Sequence, residues 1–284
     1  MKYRFLKIVI NIFLLFFVLN NSLVAQQNKG KLFIIGGGER SDNLMKKMLK
    51  ISNFEKDDYI VVLPMASEEP DSSFFYFKLQ LEKLTTNKIL MYNFNKTKLN
   101  NKTLIDSLQK AKLIFITGGD QNRFMDAIKS TTVFTAIHLA YKNGSTIAGT
   151  SAGAAVMCEY MITGNQKLDT NCNATFKNIQ HNNLVTKQGL ALIKNVIIDQ
   201  HFLKRNRYNR LMTAMVDFPT YTGIGIDEST AIIVSSKLVQ VIGESEVVVF
   251  KNINTVKKST KNNLVSIKKI ELSVYYEGQK FMLK

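Results

Sequence analysis

Tryptophan is absent from this 284-residue chain, proline occurs three times, and cysteine only twice. So few prolines, with no long Gly/Ser-rich stretch, exclude a string of domains on flexible linkers. No segment repeats at a period of 20–50 residues, which excludes a solenoid. Two cysteines, Cys158 and Cys172, cannot build a disulfide-dense scaffold. They leave either one bridge or a buried thiol at Cys158, which falls in a predicted helix. Histidine is also scarce, with three residues, and none stands with a cysteine at metal-ligand spacing. No dinucleotide fingerprint and no phosphate loop occurs, so no cofactor is expected. The formal charge is +16, yet the lysines are scattered without interleaved aromatics, which argues against nucleic acid.

The first 25 residues differ from the rest. Lys2, Arg4 and Lys7 precede the apolar run Ile8 to Val18, and Ala25 precedes the polar Gln26-Gln27-Asn28-Lys29. This reads as a secretory signal peptide, leaving 26–284 as a single catalytic domain of an exported, periplasmic or secreted protein. No later apolar span has membrane length, so no membrane association is expected after cleavage.

Apolar runs alternate with amphipathic ones. Strands are expected at Lys31–Ile35, Tyr59–Pro64, Lys88–Tyr92, Lys112–Thr117, Ser145–Ala148, Val196–Ile198 and Thr222–Ile226. Helices are expected near Asp42–Ser52, Ser72–Leu84, Thr103–Lys110 and Asn122–Lys142, with another behind Ser151. Thr163–Lys187 reads as a polar loop. Continuous apolar strands between helices indicate an α/β fold, a mostly parallel sheet covered on both faces. Short β segments from Ala231 onward form a β-rich C-terminal extension of that sheet. Ligands of such sheets bind beyond the strands' carboxyl ends. The glycine-bearing ends at Gly36, Gly118 and Gly149 therefore converge on one crevice.

Gly149-Thr150-Ser151-Ala152-Gly153 has the spacing of a nucleophile elbow, a serine raised on a tight strand-to-helix turn. Such a serine needs a base. His138 lies within a helix and His181 in the polar loop. His201 directly follows a buried strand and is the best placed. Its orienting acceptor is Asp169, between Ser151 and His201 in chain order, with Glu228 as rival and a backbone or glutamine carbonyl as the third alternative. The N–H of Ala152 and that of Gly119 are the oxyanion donors. Gln121, Asp199, Gln200, Arg205, Arg207, Arg210 and Glu228 gather near the same strand ends, a mixture of charges suited to a zwitterionic substrate.

The run Gly36-Gly37-Gly38-Glu39-Arg40, Gly118-Gly119-Asp120-Gln121, the elbow, Asp199-Gln200-His201-Phe202 with Arg205, Arg207 and Arg210, and Gly223 to Glu228 resembles peptidase family S51, in its cyanophycinase branch. The resemblance implies a class I glutamine amidotransferase-like (flavodoxin-like) fold and a homodimer. It implies serine exopeptidase hydrolysis of the cyanophycin polymer to β-Asp-Arg dipeptides. Ser151 would be the nucleophile, His201 the base, and Gln121, Asp199, Gln200, the three arginines and Glu228 the substrate-site lining. Asp-Xaa or isoaspartyl peptides are the alternative substrates.

Overall fold

A computed structural model describes residues 30–169 and 176–283. The predicted signal peptide and Cys172 lie outside the described residues.

The first half of the chain is a βα series. β1 (Leu32–Ile35), β2 (Tyr59–Leu63), β3 (Lys88–Met91), β4 (Leu113–Ile116) and β5 (Thr146–Thr150) are joined through α1 (Asp42–Ser52), α2 (Pro70–Glu82), α3 (Lys102–Lys110), α4 (Gln121–Ile128) and α5 (Thr132–Lys142). The helix starts follow local chemistry. The Ser41 hydroxyl accepts from Leu44 N–H at α1, Pro70 occupies the first turn of α2, and Asp120 caps α4 by accepting from Asn122 N–H. The one helix expected over Asn122–Lys142 is two, because Ser130 takes φ 61° between them.

β6 (Tyr160–Gln166) and β7 (Leu184–Gln188) follow the elbow, then β8 (Val196–Gln200) and β9 (Thr222–Ile226). After these come β10 (Thr230–Ser235), β11 (Leu238–Gly243), β12 (Val247–Lys258), β13 (Val265–Tyr275) and β14 (Lys280–Met282). The main sheet runs β14-β11-β10-β1-β5-β4-β2-β3, parallel from β1 to β3 and antiparallel beyond β1. A second sheet, β13-β12-β9-β8, holds the parallel pair β8–β9. The C-terminal segments thus divide, with β10, β11 and β14 extending the main sheet and β12 and β13 completing the second.

Strand alternation sorts the core. Ile34, Val61, Ile114 and Ile147 face one layer, and Phe33, Ile60, Val62 and Phe115 the other. Each such buried side chain contributes about 1.5–3 kcal/mol. A third cluster, with Ile197, Phe202, Leu211 and Phe250, joins the second sheet to α7 (Tyr208–Asp217). Behind the elbow, α6 (Ala152–Ala155) is a single turn and not the longer helix its alanines suggest. Cys158 therefore lies beyond the helix, as a buried free thiol that accepts from Ile198 N–H; burial pushes it up to about 12.

The expected polar loop over Thr163–Lys187 overlaps the paired strands β6 and β7 at its two ends. Its amides satisfy one another. Asn183, fully buried, donates to Gln166 and Gln180 and accepts from Leu168 N–H. Polar residues at inward positions hide a strand from a hydrophobic count.

Candidate active site

The parallel strands point their carboxyl ends at the seam between the two sheets. Ser151 follows β5 with φ 52° and ψ −109°, a conformation costly for any residue with a Cβ. Its neighbours hold it there. The Ser151 N–H donates to Ile35 O, and its carbonyl accepts from Ala154 and Ala155 N–H. A methyl on Gly149 would lie 2.5 Å from Gly153 O, and one on Gly153 would overlap Ile116 O. The glycines on both sides of the serine are thus required by backbone contact.

Ser151 Oγ and His201 Nε2 are 2.8 Å apart, and His201 Nδ1 is 2.6 Å from Glu228 Oε1. A carboxylate only accepts, so Nδ1 carries the proton and Nε2 accepts from the serine hydroxyl. His201 comes from the end of β8, and Glu228 from the link between β9 and β10, where the chain passes between sheets. Asp169 does not take the orienting place. Both ring nitrogens are engaged by Ser151 and Glu228, and Asp169 sits three residues past β6. Chain order suggested it, but the β9–β10 turn brings the acid in from the far side of the histidine.

Burial holds the His201 imidazole below the usual histidine range. Glu228 opposes this by its hydrogen bond and charge, while Arg205 and Arg207 add to the lowering. The ring is therefore neutral, the form a general base needs, at a lower pH than an exposed histidine.

The three-glycine turn after β1 seats this pair, a role not read from the sequence. His201 N–H donates to Gly36 O, and Ser229 N–H to Gly37 O. Gly37, at φ 118°, lies flat against the imidazole, and a Cβ there would fall on the ring. A Cβ on Gly38 would lie 2.6 Å from that of Glu228. The signal was present as consecutive glycines at a strand's carboxyl end. We expect Gly37→Ala to displace the ring by about 1 Å or more and to lower kcat by about 100-fold. Steady-state rates with circular dichroism check this, and a folded variant with native rates would refute the seating.

On the other flank, a Cβ at Gly118 would touch Ser151 Cβ at 3.5 Å. Gly119, φ 135°, presses its backbone against Ala66 O. Ala152 is the first residue of α6, where an N–H lacks an intrahelical acceptor.

The remaining polar residues are less available than their spacing suggested. Asp199 is fully buried and held bidentately by Arg210 Nε and a terminal guanidinium nitrogen, with Arg207 at 3.5 Å. Gln200 accepts from Arg207 and Arg210. Burial, with Arg210 close by, pushes Arg207 down to about 10, and its Nε has no hydrogen-bond partner among the described residues. Gln121 is buried and donates to Ile162 O. Arg205 alone of the three arginines is exposed; it and Arg207 lie in the turn before α7, and Arg210 is on that helix. The carboxylate that Arg207 and Arg210 grip is the protein's own. Asp227, also unforeseen, accepts from Lys204 N–H and Ser245 Oγ, tying down the turn that carries His201.

The family model of peptidase family S51 matches residues 32–242. The chain is 32% identical over 231 residues to a cyanophycinase of Trichormus variabilis, covering 79% of this chain and 74% of that one. It is 30% identical over 230 residues to a cyanophycinase of Geminocystis herdmanii, covering 79% and 81%. Among solved structures, a peptidase from an acI-B1 actinobacterium superposes with TM-score 0.66 at 20% identity, over 91% of this chain and 99% of that one. A putative peptidase E from Listeria monocytogenes gives 0.55 at 19% identity, over 76% and 100%. These two likenesses are of fold.

Proposed function

The chain belongs to peptidase family S51, a family of serine peptidases, and from that premise we propose that it hydrolyses cyanophycin to β-Asp-Arg dipeptides. The observation that carries this reading is the unbroken chain Ser151–His201–Glu228. Ser151 Oγ attacks an aspartyl backbone carbonyl while His201 Nε2 takes its proton, and Glu228 stabilises the imidazolium. The N–H groups of Ala152 and Gly119 receive the oxyanion. The imidazolium then protonates the leaving amine, and an acyl-enzyme remains on Ser151. Water, deprotonated by the same histidine, releases the product. Purified protein on insoluble cyanophycin should yield β-Asp-Arg by mass spectrometry; no release from active enzyme would sink the proposal.

The internal pairing of Arg207 and Arg210 favours a second reading, hydrolysis of short Asp-Xaa or isoaspartyl peptides. Arg205 then remains as the exposed arginine for substrate. Comparable turnover of a short Asp-Xaa peptide and of the polymer would favour this one.

We further propose that the protein is exported. Support comes from the basic start and the apolar run Ile8 to Val18. N-terminal sequencing of protein from the producing cells should find a start close after Ala25. An intact Met1 would argue against export by cleavage.

A further inference from the structure

At the amino ends of the second sheet's parallel strands lies an aromatic group that the proposed chemistry does not use. Tyr160 opens β6, Phe218 caps α7, and Tyr221 immediately precedes β9. Their ring centroids stand 5.2 Å apart for Tyr160–Phe218, 5.3 Å for Phe218–Tyr221 and 6.2 Å for Tyr160–Tyr221. Tyr160 is 38% exposed, and none of the three is fully buried. Beside them the Glu159 carboxylate accepts from the Tyr221 hydroxyl at 3.4 Å. Among the described residues that hydroxyl is the only side-chain partner of Glu159, and no lysine or arginine pairs with it.

A carboxylate bonded to one ring of an aromatic trio, with no cationic partner among the described residues, stands out in a chain of formal charge +16. Ring faces carry negative potential and attract cations, guanidinium more often than ammonium. A carboxylate at the rim supplies the bidentate acceptor that a planar guanidinium fits. β9 has five residues, so this group lies roughly 15–20 Å from the carboxyl ends that carry the catalytic pair. It is thus separate from the reacting centre.

We propose that Glu159, Tyr160, Phe218 and Tyr221 form a docking site for an arginine side chain. Resting on the reading of the substrate as an arginine-bearing polymer, the site would hold the protein on the insoluble chain while the crevice cleaves it. One such contact is weak, but a polymer surface offers many copies, and rebinding multiplies its effect.

The direct test is an NMR titration of the whole protein with Nα-acetyl-arginine amide, and separately with the neutral citrulline analogue. Arginine should shift the resonances of Tyr160, Phe218 and Tyr221, and citrulline should not. Equal shifts, or none, would overturn the site. Adsorption to insoluble cyanophycin gives the second measurement. Glu159→Gln and Tyr160→Ala should each weaken it by about two- to fivefold, the range of one exposed cation–π contact. Turnover of a short soluble peptide should stay unchanged. Equal losses on both substrates would instead mark a structural effect and refute the proposal. Because the arginine titration needs no catalysis, a protein that binds arginine here but leaves cyanophycin intact would keep the site and sink the substrate assignment.

Discussion

Ser151→Ala should lower kcat by about a million-fold, the scale at which serine peptidases lose turnover without their nucleophile. The variant should fold as the native protein does. Among the described residues the side-chain bond lost is the one to His201 Nε2, and the backbone bonds of residue 151 to Ile35, Ala154 and Ala155 do not involve the hydroxyl. The strained φ of 52° is common to serine and alanine, since both carry a Cβ. What remains should be the catalysis due to binding and the oxyanion donors alone. The check is product release by mass spectrometry, with thermal melts of both proteins. Native turnover in the variant would remove Ser151 from the mechanism.

Glu228→Gln comes next in size, with an expected loss of about 10⁴ in kcat at neutral pH. This is the effect seen when the acid behind a catalytic histidine becomes an amide. An amide N–H facing Nδ1 selects the tautomer that protonates Nε2, and the ring can then no longer take the serine's proton. The pH profile adds a signature that a packing defect would not give. The Glu228 hydrogen bond and charge both raise His201, against the lowering by burial and by Arg205 and Arg207. Removing the charge therefore lets the imidazole fall further. The rising acid limb of kcat/KM should move to lower pH, because the neutral base persists at lower pH. Asp169→Asn is the control and should leave both rate and profile intact. If instead Asp169→Asn collapses the rate and Glu228→Gln does not, the assignment of the acid is reversed.

The parts of this site that the sequence made legible are those encoded by consecutive residues. The elbow depends on backbone contact at Gly149 and Gly153, so its chemistry is written in five adjacent letters. The base followed from a histidine at the end of an apolar strand. The acid did not, because Glu228 reaches His201 by a turn that crosses from one sheet to the other, and no local pattern records that crossing. The arginines misled for a related reason. Their spacing matched a carboxylate clamp, and a clamp exists, but Asp199 from the neighbouring strand fills it. Continuous apolar strands between helices fixed the α/β class, since both faces of β1, β2, β4 and β5 are buried, while β3 at the edge is only half-buried. The pair β6–β7 escapes a hydrophobic count because the buried amides at its end, Gln166 of β6 and Asn183 just before β7, bond to each other instead of being apolar.

The seam location has a consequence for the nascent chain. Ser151 belongs to the first sheet, and its base and acid arrive 50 residues later and 27 beyond that. The segment bearing Glu228 is held from its far side, where Ser245 N–H donates to Thr230 Oγ1 and β10 lies against β1. A ribosome-bound or truncated chain ending before β10 thus carries the serine, while the segment bearing Glu228 lacks both of these holds. The catalytic acid is held in place once β10 has docked against β1.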